Sequence, residues 1–212
     1  KGIMMQKNKS LLPLLVAFLT ILTFPAHAKK TKQERIPRVT VVMVIDQFAY
    51  HYIPKLKKHL HHGLSDLLNK GIVYTNAYHA HGIPETTPGH HALSTATLPK
   101  DHGAIANQWF DRHYKKINYA DDSSPDAAVL NQAPGQKQCG KSGHRTRVDG
   151  LSDQFIMSSN PKQINKVFAF SLKPYPALAT ANRLGKAIWF DDIAGNFTSS
   201  KAYFSELPAW VT

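Results

Sequence analysis

At 212 residues and 42% hydrophobic, the chain is long enough to bury one sizeable core, or at most two small ones. Its ordinary aromatic content and lack of long polar tracts exclude a disordered chain. A net charge of +12 favours anionic ligands, but the basic residues are scattered without the aromatic-interleaved strip of a nucleic-acid face, so no nucleic-acid partner is expected.

Lys7 and Lys9 precede an apolar stretch from Leu11 to Phe24, which ends at the small-x-small triplet Ala26-His27-Ala28. That order reads as a signal peptide over residues 1–28, cleaved after Ala28, with 29–212 as the exported body. The apolar stretch is short for a bilayer span, and an uncleaved anchor is the alternative. Membrane contact is expected only through this segment, and the body is expected to be periplasmic or secreted.

Val39 to Ile45 (VTVVMVI) is an unbroken run of β-branched and apolar residues, the pattern of a strand buried on both faces. Asp46 follows at its C-terminal end. From Tyr52 to Asn69, leucines at near-helical spacing predict a helix, which Lys70-Gly71 ends before a short strand at Ile72-Val73-Tyr74. Strand, helix, strand is a βαβ opening. His81 to Pro88 reads as a turn-rich loop and His90 to Ala96 as a short helix. Residues 111–150 are polar and read as an excursion from the core. Lys166 to Leu172 is another expected buried strand, and Ala187 to Phe190 a fourth. The fold class expected is α/β, a mostly parallel sheet with helices on both faces.

Three polar features follow the predicted strands: Asp46, the Thr86-Thr87-Pro88-Gly89-His90 segment, and Lys173. A parallel sheet would gather them at one edge, where a carboxylate, a hydroxyl and an ammonium suit a metal ligand, a nucleophile and an anion clamp. The alternative is bland: Asp46 caps a helix, the threonines belong to a turn and Lys173 is solvated.

The motifs also stand in a recognisable order. Val44-Ile-Asp-Gln-Phe48, Gly71-Ile-Val-Tyr-Thr-Asn-Ala77 and Thr86-Thr-Pro-Gly-His90 come first. Leu98-Pro-Lys-Asp-His-Gly103, Asn107-Gln-Trp-Phe-Asp111, Trp189-Phe-Asp-Asp192 and Leu207-Pro-Ala-Trp210 follow. The series resembles the N-terminal part of the type I phosphodiesterase/nucleotide pyrophosphatase branch of the alkaline phosphatase superfamily, most similar to its phosphate-irrepressible alkaline phosphatases. The resemblance implies an alkaline-phosphatase-like fold, here incomplete, and a phosphate-ester substrate. It implies two zinc ions per complete enzyme, with Asp46 and Thr86 as ligands of one. Thr86 is implied as the nucleophile by the Thr-x-Pro-x-His spacing, which passes over Thr87. Asn107 and Lys173 are implied as donors to phosphoryl oxygens.

Two departures qualify that reading. Lys173-Pro174-Tyr175 stands where the phosphomonoesterases have Lys-x-Arg, removing a bidentate phosphate contact. The family's remaining metal ligands, an Asp-x-x-x-His motif, an Asp-His pair and a late histidine, have no counterpart here. The leading expectation is therefore a metal-dependent phosphoric-ester hydrolase acting through a threonine, inactive as these 212 residues alone. Nucleotide pyrophosphatase or phosphodiesterase activity is expected if the full-length enzyme prefers diesters. A catalytically silent truncated product and an exported anion-binding module are the alternatives.

Several other patterns read as structural. Gly135 to Ser142 matches the P-loop letter for letter, yet no strand precedes it and no helix follows. Asp101-His102-Gly103 reads as a turn, His59, His61 and His62 as a solvated helix face, and His79, His81, His90 and His91 as backbone-bonding loop residues. Cys139, the sole cysteine, excludes an internal disulfide and reads as buried or idle.

Overall fold

The computed structural model describes residues 39–211. Contacts divide the chain after Met43. Of the first part, residues 39–43 fall in the described range and carry no helix or strand. The expected signal peptide lies outside the described residues.

The strand expected at Val39 to Ile45 does not form, and Val41, Met43 and Ile45 are exposed. A strand apolar on both faces is stable only between paired neighbours and under cover, and this run joins no ladder. The expected helix from Tyr52 to Asn69 is broken into α1 (Tyr52–Leu56) and α2 (Gly63–Lys70). Neither buries a residue, so no packed face carries the helix through His59 to His62. His62 takes a left-handed φ of 58° there. Ile72-Val73-Tyr74 is likewise exposed and unpaired.

From residue 86 onward the chain packs. Helix α3 (Thr86–Thr95) begins four residues before the expected start, because Pro88 falls in the first turn, where its missing N–H costs nothing. Helix α4 (Pro99–His102) ends at Gly103, whose φ is +83°. The polar excursion forms two small antiparallel ribbons, β1 (Gln108–Phe110) with β2 (Lys116–Asn118) and β3 (Asp121–Asp122) with β4 (Gly140–Lys141). Helix α5 (Leu151–Met157) follows.

The core is a βαβ unit. Strand β5 (Phe168–Ser171) runs through α6 (Pro174–Ala181) to the parallel β6 (Lys186–Asp191), and β7 (Asn196–Thr198) adds an antiparallel edge. Both later strands expected from sequence are thus present, whereas β7, α5 and α6 were not foreseen. Alternation sends Ala169, Ala187 and Trp189 into a cluster with Ala177, Leu178 and Ala181 of α6, joined by Tyr119 and Tyr203. The other face of the sheet presents Phe168, Phe170 and Phe197, with Trp210 edge-on to Phe168. Among the described residues no helix is long and apolar enough to cross a membrane.

Candidate active site

The site is built at the N-terminus of α3. Glu85, extended at φ −94° and ψ 162°, is the N-cap residue and makes no side-chain cap itself. The first backbone amides of a helix have no intrahelical acceptor and must be satisfied elsewhere. Here the Gly89 N–H donates to Glu85 O at 3.1 Å, Pro88 has no N–H, and the Thr87 N–H donates to Asn107 Oδ1 at 2.8 Å. That leaves the Thr86 amide without a hydrogen bond among the described residues. It is a fixed donor at the positive end of the helix dipole, beside the Thr86 hydroxyl.

That hydroxyl donates to Asp46 Oδ2 at 3.0 Å, across a sequence separation of 40 residues. Asp46 sits in a turn whose next residue, Gln47, has a φ of 58°. Asn107 meets the helix from the other side. Its Oδ1 accepts from both the amide and the hydroxyl of Thr87, the latter at 2.5 Å. A backbone N–H can only donate, which identifies that atom as oxygen, so the Asn107 NH2 is the group turned away from the helix. The Asn107 N–H in turn donates to the Glu85 carboxylate at 2.5 Å.

A buried polar layer supports this end of the helix. His91 Nδ1 bonds Thr87 O at 2.9 Å and so carries the ring proton, which leaves Nε2 as acceptor for Tyr119 Oη at 2.8 Å. Thr146 Oγ1 closes the triangle at 2.7 Å from Tyr119 and 3.1 Å from His91. Burial holds the His91 pKa down to about 3 against the opposing bond to Thr87, with lesser lowering contributions from His102 and His90. His102 stacks on His91 at 5.2 Å, and its Nδ1 accepts from Ala104 N–H at 3.1 Å. Burial and the neighbouring His81 lower its pKa to about 4. Tyr119 is pushed far above its ordinary value by burial.

Of the four residues expected from sequence, Asp46, Thr86 and Asn107 come together around the start of α3. Lys173 does not join them. It is the N-cap residue of α6 at the C-terminal end of β5, its side chain is exposed, and its amide donates to Ser171 Oγ. The single sheet edge expected to collect all the groups is absent, because the two strands that would carry Asp46 and the threonines do not form. Tyr175, standing where an arginine was expected, is half-buried against the core cluster. Glu85 and Thr87 were not foreseen as parts of the site. Their signal was local: a Glu-Thr-Thr-Pro run has the composition of a helix start.

The remaining patterns behave as structure. Gly140 and Lys141 of the P-loop match lie in β4, and the Lys141 ammonium pairs with Asp121 at 2.5 Å. Cys139 is exposed, not buried. His90 and His91 bond helix carbonyls and not a loop. His79 and His81 meet edge to face at 5.0 Å. Among the described residues no group of three or more His, Cys, Asp or Glu side chains is arranged to hold a metal ion. Asp46 and Thr86 are oxygen donors suited in kind to a divalent cation, but two ligands do not make a site.

Residues 40–191 match the model of the type I phosphodiesterase/nucleotide pyrophosphatase family. The chain belongs to that family. Among curated family relatives, the alkaline phosphatase PafA of Elizabethkingia meningoseptica is 30% identical over 190 residues, covering 87% of this chain and 33% of PafA. The alkaline phosphatase PhoV of Synechococcus elongatus is 28% identical over 177 residues, 82% of this chain and 31% of PhoV. The crystal structure of wild-type PafA superposes with a TM-score of 0.71 at 26% identity, covering 79% of this chain and 32% of that one. A PafA variant with a threonine, an asparagine, a lysine and an arginine replaced gives 0.72 at 24% identity over the same shares. The α/β fold is thus alkaline-phosphatase-like, and the chain spans about a third of the length of these relatives.

Proposed function

We propose that this chain carries the nucleophile-bearing part of an exported, metal-dependent phosphoric-ester hydrolase, and that Thr86 is the nucleophile. The observation that carries the reading is the Thr86–Asp46 hydrogen bond at the start of α3, beside the unpaired Thr86 amide and the outward Asn107 amide. Asp46 holds Oγ1 in one rotamer, so that attack on a phosphoryl phosphorus starts from an ordered hydroxyl. The Thr86 N–H and Asn107 NH2 are two preset donors to phosphoryl oxygens, where negative charge gathers as the Thr86 P–O bond forms and the ester P–O bond breaks. Lys173 is a third, cationic donor that would have to turn toward the site. PafA lends support: the threonine and asparagine replaced in its variant are spaced as Thr86 and Asn107 are.

Asp46 and Thr86 would supply two ligands of a divalent ion, for which zinc is the family expectation. When bound, that ion would lower the hydroxyl pKa and offset phosphoryl charge. In the full-length protein, Thr86→Ala is expected to lower kcat/KM for phosphate esters by about a thousandfold or more, and chelation to abolish turnover. Retained turnover in either experiment rejects the assignment. Phosphate monoesters are the favoured substrates, and comparing p-nitrophenyl phosphate with its bis-ester checks that preference.

The shortage of metal donors among the described residues favours a second reading for this chain by itself, namely catalytic silence. Zinc-dependent esterase activity of the isolated chain, lost on Thr86→Ala, would overturn it.

A further inference from the structure

We infer that Thr87 and Glu85 are positioning residues that aim the Asn107 amide at the substrate. The inference rests on the Thr86 and Asn107 assignments above and extends them to two residues that touch no substrate. A terminal amide rotates about a broad two-fold torsion, and its two ends are nearly the same size, so packing alone does not select which end faces outward. Selection requires a donor that only the oxygen can accept. Thr87 supplies it through its N–H, 2.8 Å from Asn107 Oδ1, and with the oxygen so placed the Thr87 hydroxyl donates a second bond to it at 2.5 Å. Flipping the amide would bring its NH2 against the Thr87 N–H, donor against donor.

The clamp has a second jaw. The Glu85 carboxylate takes the Asn107 backbone N–H at 2.5 Å, fixing the main chain from which the amide projects. Glu85, Thr86 and Thr87 are consecutive, so the nucleophile is bracketed by the residues that hold its partner donor. Any shift of α3 therefore moves hydroxyl and amide together. Thr87 is fully buried while Thr86 is only half-buried, which separates the supporting threonine from the reacting one. The Thr87 N–H selects which end of the amide faces the helix, and the hydroxyl bond, surplus to capping, holds that orientation more tightly.

The test uses the full-length protein and reads kcat, KM and melting temperature for Thr87→Val, Thr87→Ser, Glu85→Gln and Asn107→Ala, with the first and third also made in the Asn107→Ala background. Thr87→Val keeps the volume and the backbone bond that selects the amide's direction, and removes the hydroxyl that steadies it. It is expected to lower kcat/KM about tenfold, mostly in kcat, while Thr87→Ser retains most of the activity. In the Asn107→Ala background, Thr87→Val and Glu85→Gln should change kcat/KM less than twofold, because no amide remains to aim. Equal losses in both backgrounds, or no loss in either, would overturn the inference. If Thr87→Val fails to fold, the exposed Glu85→Gln decides by the same comparison. Thr86→Ala is measured alongside. Turnover retained there rejects the underlying reading as well, whereas its loss together with an inert Thr87→Val rejects the clamp alone.

Discussion

Asn107 caps a helix to which it does not belong. Its side-chain oxygen answers an amide left over at the start of α3, and that same bond decides which way its nitrogen faces. Asp153 does a comparable task deeper in the molecule. Fully buried, it accepts from Gly150 N–H at 3.0 Å, Arg183 N–H at 3.0 Å and Leu184 N–H at 2.7 Å, tying the start of α5 to the turn after α6. Asp153→Ala strands three donors at once, the Gly150 N–H buried and the Arg183 and Leu184 N–H groups partly so. The expected cost is about 2 kcal/mol, read as a lowered urea midpoint of the full-length protein with activity per folded molecule unchanged. A loss under about 1 kcal/mol would mean that water replaces the carboxylate.

At the scale of elements, α3 shows how much an end condition matters. Its first turn is held by Asn107 and Glu85, whereas its last is closed by Ala96, an exposed alanine at φ 54° whose N–H returns to Ala92 O. A left-handed alanine is strained and glycine is not, so Ala96→Gly is expected to raise stability by about 0.5–1 kcal/mol, seen as a higher melting temperature. An unchanged or lower value would show that this turn relaxes without cost. The same rule explains α1 and α2. They have helix-compatible spacing but no buried face, and the 18-residue helix that the leucines suggest is reduced to two short pieces.

For the molecule as a whole, the stacked pair His91 and His102 links folding to pH. Both have folded pKa values, about 3 and about 4, below the ordinary 6.5. The unfolded chain therefore binds more protons than the folded one from about pH 6.5 down to about pH 4 for His102 and about pH 3 for His91. Their contribution is fully present above pH 6.5 and is lost as pH falls through that window, at up to about 1.4 kcal/mol per pH unit for each histidine. Urea midpoints of the full-length protein should drop steeply from pH 7 to pH 5, and His102→Gln should flatten the slope. A midpoint flat across that range would show that one or both rings protonate in place.

The family, the α/β class and strands β5 and β6 were legible in the residues alone, which also singled out Asp46, Thr86 and Asn107 as candidates. These were legible because ordered short motifs and apolar runs are local properties of the chain. Only the folded chain shows that the Asn107 NH2 faces outward, that Glu85 and Thr87 hold that residue, and that among the described residues Lys173 has no hydrogen bond or ion pair to the other three. It also decided that the most strand-like segment, Val39 to Ile45, forms no strand. The physical reason is common to all of these. A hydrogen bond between residues 20 apart, or a strand that needs neighbours on both edges, depends on partners the local pattern does not contain.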